Sequence, residues 1–285
     1  MISDIQFQKE LDLIIENGIR EDIGPGDYSS LACIPDTANG KAKLLVKEDG
    51  IIAGVEFARM VFAKVDAGLQ MEVFIKDGTA VKVGDEVFHV SGSSQSILKA
   101  ERLVLNSMQR MSAIATKTSE YVTLLNGFNT KILDTRKTTP GFRACEKWAV
   151  KIGGGENHRF ALYDMIMLKD NHIDFAGGIT LAIAKTKAFL KQNNLDLKII
   201  VEARDLDEIR EIIQNEGVYR ILIDNFNFED TRKAVQMIGN KCLTESSGNI
   251  NENTIRQYAE CGVDYISSGA LTHSVNNMDL SLKAF

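Results

Sequence analysis

Six short apolar runs recur in the second half of this 285-residue chain, and each gives way at its C-terminal end to charged or hydroxyl residues. They are KILDT (131–135), MIMLK (165–169), KIIVE (198–202), RILID (220–224), KCLTESS (241–247) and DYISSG (264–269), with successive starts 34, 33, 22, 21 and 23 residues apart. Helical patterns such as ITLAIAKTKAFLKQ, RDLDEIREIIQ, FEDTRKAVQMI and NENTIRQYAEC fill most intervals. Parallel neighbours need a long crossover, so alternation at this spacing predicts βα units and a parallel sheet. Six strands leave three architectures open: an eight-strand barrel with two strands unseen, an incomplete barrel, or an open sheet. A parallel barrel gathers all its C-terminal strand ends on one face, where its site lies. Solvent alone explains one polar strand end; six together predict a shared site.

The part before this series has another rhythm. Residues 5–19 place Ile5, Leu11, Leu13, Ile14, Ile15 and Ile19 at helical spacing, and Gly24-Pro25-Gly26-Asp27 stops the helix. Between Lys41 and Val90 the runs KAKLLVKE, IIAG, MEVFIKDG and AVKVGDEVFHVSG predict short strands, with bends at Asp77-Gly78 and Gly84-Asp85. Residues 97–125 predict one long helix with an apolar stripe of Val104, Met108, Met111, Ala115 and Val122. No composition-biased linker separates the two parts, so this helix is the expected joint.

Composition narrows the function classes. A hydrophobic fraction of 44% with 25% charged residues excludes a disordered chain. No run reaches the roughly 20 apolar residues of a membrane span. The first residues carry acids and no basic segment ahead of an apolar block, so no secretory signal and no membrane partner are expected. A net charge of −6 argues against nucleic acid. Four cysteines without a C-x-x-C pair suit a reducing, cytoplasmic location and support neither a zinc site nor a disulfide framework. Residues 131–172 depart from the acidic average: eight Lys/Arg against five Asp/Glu give a local +3, leaving −9 for the remainder. A single basic pocket in an acidic protein suits a small, multiply anionic ligand. Arg136, Lys137 and Lys169 stand at strand ends rather than on a solvated helix face, and His158 and His172 share the window.

Glycines add a third signal. Gly153-Gly154-Gly155 precedes Glu156-Asn157-His158-Arg159, while Ser247-Gly248-Asn249 and Ser268-Gly269-Ala270 each follow a strand. Such turns let backbone N–H groups approach an anion, and their paired placement after late strands is where barrels build phosphate sites. Each S-G-x alone is an ordinary loop. The sequence has no G-x-S-x-G, G-x-x-x-x-G-K-[ST], H-E-x-x-H or post-strand G-x-G-x-x-G motif. Trp148, His89 and the nine methionines read as packing residues.

The run Ile132-Leu-Asp-Thr-Arg-Lys-Thr-Thr-Pro-Gly141, followed by KWAVKIGGGENHR and MIMLKDNHI, resembles the signature of the quinolinate phosphoribosyltransferase family (nicotinate-nucleotide pyrophosphorylase, carboxylating). EDIGPGDYSS, AERLVLNSMQRMSAIAT, ESSGNI and GVDYISSGALTHSV are similar to further family stretches, so the resemblance covers essentially the whole chain. It implies an N-terminal α/β sandwich over residues 1–112, rejoined by the tail 275–285, and an incomplete α/β (TIM-like) barrel over 113–274. It implies a reaction of quinolinate with 5-phosphoribosyl 1-pyrophosphate and Mg²⁺ that gives nicotinate mononucleotide, pyrophosphate and CO₂. It also implies a homodimer with composite sites, with a trimer of such dimers as a higher assembly.

Residue by residue, the resemblance assigns Thr135, Arg136, His158, Arg159 and Lys169 to substrate, the last four to the quinolinate carboxylates. It assigns Arg102 to the partner subunit's site and Lys137 to the phosphoribosyl pyrophosphate, with a catalytic role. Glu202 and Asp224, with catalytic roles of their own, go to the ribose hydroxyls and Mg²⁺, directly or through water or substrate. Ser247, Gly248, Asn249, Ser268, Gly269 and Ala270 form the 5′-phosphate cradle; Asn249 stands where a glycine is expected in many members. Two other readings remain. One is a paralogous phosphoribosyltransferase, found with molybdenum-transport genes or using nicotinate; the full TRK…HR…K cation set favours the two carboxylates of quinolinate. The other is a biotinyl- or lipoyl-type carrier module suggested by GTAVKVGDEVFHVSG, which lacks the Met-Lys or Asp-Lys hairpin tip of such carriers.

Overall fold

A computed structural model describes residues 3–285 and divides them into two compact units, one of residues 3–119, 137–154 and 271–285, the other of 120–136 and 155–270. These limits differ from a cut after residue 112. The segment 137–154, which follows the first parallel strand, groups with the N-terminal residues.

In the first unit, helix α1 (Asp4–Asp22) is capped by Ser3, whose hydroxyl accepts the Gln6 N–H, and it buries Leu11 and Ile15. Gly24-Pro25-Gly26 then break the chain, and Asp27 caps α2 (Tyr28–Cys33). The strands β1 (Asn39–Val46) and β2 (Gly50–Ile51) follow. Next comes a helix that the strand-only expectation for 41–90 does not contain, α3 (Val55–Val65). Val55, Ala58 and Phe62 step by three and four residues and are buried, and the Asp77 carboxylate accepts the Val55 and Glu56 N–H groups at its start. Helical periodicity thus outweighs a composition rich in Val and Phe. Strands β3 (Gln70–Val73), β4 (Ala80–Val81) and β5 (Glu86–Ser93) lead into α4 (Ser94–Leu124). Val104, Met108, Met111 and Ala115 are buried as expected; Thr118 and Tyr121 continue the stripe, while Val122 is only half-buried. The sheet is antiparallel, and the tail strand Leu280–Ala284 pairs along β1, Ala42 opposite Ala284 and Val46 opposite Leu280. His89 sits on β5 against Glu86 and the rings of Phe74 and Phe285, and Trp148 meets Phe7 edge-on, both packing roles.

The six expected parallel strands all form: β6 (Lys131–Leu133), β7 (Ile166–Leu168), β8 (Ile199–Ala203), β9 (Arg220–Asp224), β10 (Leu243–Ser247) and β11 (Tyr265–Ser267). The intervening helices are α5 (Arg143–Ile152), α6 (Asp170–Ala176), α7 (Ile179–Gln192), α8 (Leu206–Ile212), α9 (Phe228–Ile238) and α10 (Ile255–Glu260), with α11 (Ala270–His273) and β12 (Leu280–Ala284) closing the chain. The order is β6-β11-β10-β9-β8-β7, all parallel, so the sheet ends on β6 and β7 and the barrel is incomplete. Register sorts the side chains by period two. Ile199, Val201, Ala203, Ile221, Ile223 and Ile266 line one face. Glu202, Arg220, Asp224, Glu245 and Ser247 share the other. That second face carries the charged groups.

Candidate active site

The site begins where β6 stops. Asp134 is fully buried, and its carboxylate accepts the His158 N–H at 2.8 Å and an Asn157 Nδ2–H at 2.6 Å. Glu156 donates its N–H to Ile132 O at 2.9 Å, so the GGGENHR loop runs as a short extension beside β6. This fixes where His158 and Arg159 emerge. Gly153 has a different task from the anion cradle expected of the GGG run. A Cβ there would lie 2.4 Å from Ala115 O and 2.7 Å from Thr118 Cβ, so this glycine lets α5 end against α4.

His158 Nδ1 accepts the Arg159 N–H at 2.6 Å, which places the ring proton on Nε2. That Nε2 lies 3.4 Å from the Glu245 carboxylate, which also takes Arg220 Nη1 at 2.6 Å. All three side chains are buried. Burial alone raises the Glu245 pKa, but His158 and Arg220 outweigh it and hold the carboxyl well below the usual range. Glu245 therefore lies inside β10 and braces its neighbours, where the sequence pattern places it among the exposed strand ends. Arg159 is likewise buried, donates from Nη1 to Met165 O at 3.1 Å, and has its pKa lowered by burial and then by the nearby Arg136 guanidinium. Two guanidinium groups thus face one region from β6 and the GGGENHR loop. Thr135 and Arg136 are half-buried directly after Asp134.

Across the sheet, Lys169 follows β7 and its ammonium sits 3.2 Å from Glu202 Oε2 on β8. Its N–H donates to His172 Nδ1 at 3.1 Å, so His172 caps α6. Asp224 ends β9 with Ser247 as its register partner on β10. The two S-G-x turns are joined: the buried Ser268 hydroxyl donates to Ile250 O at 3.3 Å, and its N–H donates to Leu133 O at 3.0 Å. Beneath them, burial and the Glu252 carboxylate push the Tyr121 hydroxyl up to about 12. Gly269 and Ala270 follow at the start of α11. The structure thus gathers Arg136 with Arg159, Lys169 with Glu202, and Asp224 with the 247–249 turn.

Arg102 and Lys137 belong to the other unit, and both are exposed. Around Lys137 the chain is fixed by a buried carboxylate. Glu146 Oε1 takes Arg110 Nε at 3.0 Å and the Thr139 hydroxyl at 2.8 Å, and Oε2 takes the Thr139 N–H at 3.0 Å. Thr272 Oγ1 donates to Lys137 O at 2.8 Å. Of these supports, Asp134 and Glu245 stand in the sequence only as polar strand ends, and Arg220 and Glu146 are not candidates. Arg220 and Glu245 carried one signal, a charge inside an otherwise apolar strand pattern.

Residues 27–112 match the family described as quinolinate phosphoribosyl transferase, N-terminal domain, and residues 114–283 match its C-terminal domain. A protein of Oryza sativa subsp. japonica named nicotinate-nucleotide pyrophosphorylase [carboxylating], chloroplastic, is 43% identical over 96% of this chain and 77% of its own length. A Bacillus subtilis protein named probable nicotinate-nucleotide pyrophosphorylase [carboxylating] is 38% identical over 96% of this chain and 93% of its own. The crystal structure of NadC from Streptococcus pyogenes superposes with a TM-score of 0.89 at 38% identity, covering 99% of this chain and 97% of that one.

Proposed function

The chain belongs to the quinolinate phosphoribosyltransferase family, and from that premise we propose which of its residues carry the reaction. The activity is transfer of a phosphoribosyl group to quinolinate with decarboxylation, producing nicotinate mononucleotide for NAD biosynthesis. Two substrates meet, quinolinate and 5-phosphoribosyl 1-pyrophosphate.

The observation that carries the residue assignment is the pair Arg136 and Arg159, one half-buried and one buried, near enough that the Arg136 guanidinium adds to burial in lowering the Arg159 pKa. An anion between them relieves that repulsion, and a planar fork matches a carboxylate. Arg136 and Arg159 hold the quinolinate carboxylates with Lys169, and Thr135 lines the same strand end. His158 stands beside them as a further contact for the carboxylates, and its Nδ1 accepts the Arg159 N–H. Lys169 also touches Glu202, so the carboxylate site adjoins the ribose site. The 5′-phosphate lies on Ser247, Gly248, Asn249, Ser268, Gly269 and Ala270, and Lys137 binds the pyrophosphate.

Glu202 and Asp224 face the ribose hydroxyls and hold Mg²⁺. The donor set fits that ion: Glu202 and Asp224 present carboxylates on one face of the adjacent strands β8 and β9, and Mg²⁺ characteristically takes one or two carboxylates with water and substrate phosphates. When bound, it neutralises the departing pyrophosphate. The quinolinate nitrogen forms its bond to ribose C1 as the C1–oxygen bond to pyrophosphate breaks. The quaternary nitrogen then stabilises the electron pair left at C2 as CO₂ leaves, and C2 takes up a proton. No protein nucleophile is required; the residues position and stabilise charge.

Arg102 is exposed in the third turn of the 31-residue α4, which supports its reaching a partner subunit's site in a homodimer. Four free cysteines support a reducing, cytoplasmic setting. Among the described residues no helix is long and apolar enough to cross a membrane. Incubation with quinolinate, 5-phosphoribosyl 1-pyrophosphate and Mg²⁺, following CO₂ and mononucleotide, tests this scheme. Stoichiometric release of both is expected, with loss of turnover on chelation; turnover of nicotinate in place of quinolinate overturns it.

A further inference from the structure

We propose that Asn225 is a positioning residue that ties the Asp224 carboxylate to the phosphate-binding turn 247–249, so that the ribose and 5′-phosphate sites are held at one fixed separation. This rests on the roles proposed above for Asp224 and that turn.

Asn225 follows Asp224 at the end of β9 and has a left-handed backbone, φ +58°. Its N–H donates to Ser247 O at 2.9 Å, a main-chain link to the turn. Its Nδ2 donates to Asp224 Oδ2 at 2.7 Å, and its Oδ1 accepts from Asn249 Nδ2 at 3.4 Å. The chemistry permits only this orientation. An ionised carboxylate solely accepts, so the Asn225 NH₂ must face Asp224 and its oxygen must face the turn, which in turn orients the Asn249 amide.

Gly248 completes the arrangement. A Cβ at that position would lie 2.1 Å from Asn225 Oδ1 and 3.0 Å from Asn225 N, so the turn admits the Asn225 side chain only where residue 248 has none. Asn249 has φ +49°, the conformation glycine adopts most readily, and Asn is among the residues that tolerate it. Asn at 249 therefore keeps the backbone a glycine would give and adds an amide that reaches Asn225. Both asparagines are exposed, so this small network stabilises the fold little and orients the site instead.

Three variants separate its parts. Asn225→Gly keeps the left-handed backbone and deletes the amide; Asn225→Asp keeps the acceptor toward Asn249 and replaces the donor toward Asp224 with an oxygen; Asn249→Gly removes only the outer link. The measurements are KM for each substrate, kcat, melting temperature, and calorimetric binding of ribose 5-phosphate without turnover. Asn225→Gly should raise KM for 5-phosphoribosyl 1-pyrophosphate about tenfold, about 1.4 kcal/mol, and weaken ribose 5-phosphate similarly. KM for quinolinate and the melting temperature should stay near the parent values. Asn225→Asp should lose at least as much, and Asn249→Gly should lose less alone and nothing further in the Asn225→Gly background. An unchanged phosphoribosyl KM in Asn225→Gly, additive losses in the double variant, or equal loss for both substrates with a lower melting temperature overturns the proposal. Asp224→Asn separates the two levels. If it impairs phosphoribosyl binding while Asn225→Gly does not, the tie alone is wrong; if it too is silent, the role of Asp224 falls with it.

Discussion

Glu245→Gln is a severe perturbation for a change of one atom. The carboxylate is fully buried and lies 2.6 Å from Arg220 Nη1 and 3.4 Å from His158 Nε2. The amide keeps the shape but leaves the Arg220 cation buried without its counter-charge. Breaking a buried pair in this way costs about 3–5 kcal/mol. At about 2–4 °C per kcal/mol for a domain of this size, the parallel-sheet unit should melt roughly 6–20 °C lower at pH 7, by calorimetry. The pH dependence has a definite sign. The folded pKa of Glu245 lies below the 4.5 of an ordinary glutamate, so its contribution is present above that value and lost as pH falls toward the folded one. The gap between parent and variant should therefore shrink on acidification. Replacing both partners, Arg220→Met with Glu245→Leu, removes the uncompensated charge and should recover much of the melting temperature. Catalytic efficiency toward quinolinate should stay low in that double variant, because His158 Nε2 has lost the acceptor that fixes its ring behind Arg159. A Glu245→Gln protein melting within about 2 °C of the parent would refute the reasoning, since even 1 kcal/mol moves the midpoint by that much. So would a double variant that remains as unstable as the single.

Three further outcomes test the site and its frame. Arg136→Ala and Arg159→Ala each remove a charged hydrogen-bonding partner and should lower kcat/KM for quinolinate by about 2–4 kcal/mol of transition-state binding; unchanged efficiency in both would sink the carboxylate assignment. Gly153→Ala introduces a Cβ 2.4 Å from Ala115 O and should cost about 1–3 kcal/mol of stability by overpacking, read as a lower melting temperature with substrate KM values little changed. Mixing inactive Arg102→Ala with inactive Lys137→Ala and allowing exchange should restore at most about half the parent activity per heterodimer, since a twofold dimer gathers both defects in one site and frees the other. No recovery after exchange is verified by mass means that Arg102 acts within its own subunit or does not act at all.

What was legible in the sequence and what was not divides along a physical line. The six parallel strands could be read because each is a short apolar run between breakers, a local property. Their order could not, because the pairing of β6 with β11 joins residues about 134 positions apart, and nothing local to either decides whether the sheet closes. The helix α3 was hidden for the opposite reason. Its three- and four-residue period is present, but it stands between strands and is rich in Val and Phe. The chemistry-bearing residues Arg136, Lys169, Glu202 and Asp224 announced themselves because a charge at the end of an apolar strand is conspicuous. The residues that hold them did not. Glu245 looks like one more polar strand end until register sets it beside Leu222 and buries it against Arg220, and Gly153 looks like part of an anion loop until α4 is packed behind it. Asn225 is the extreme case: only the fold brings the 247–249 turn within reach of its amide. A charged group at a strand terminus is conspicuous in the sequence by itself, whereas a support is defined by its partner, and partners are assigned by topology. The strand ends therefore disclose the side chains proposed to meet substrate, and the three-dimensional pairing discloses the buried groups, such as Asp134 and Glu245, that fix the chain around them.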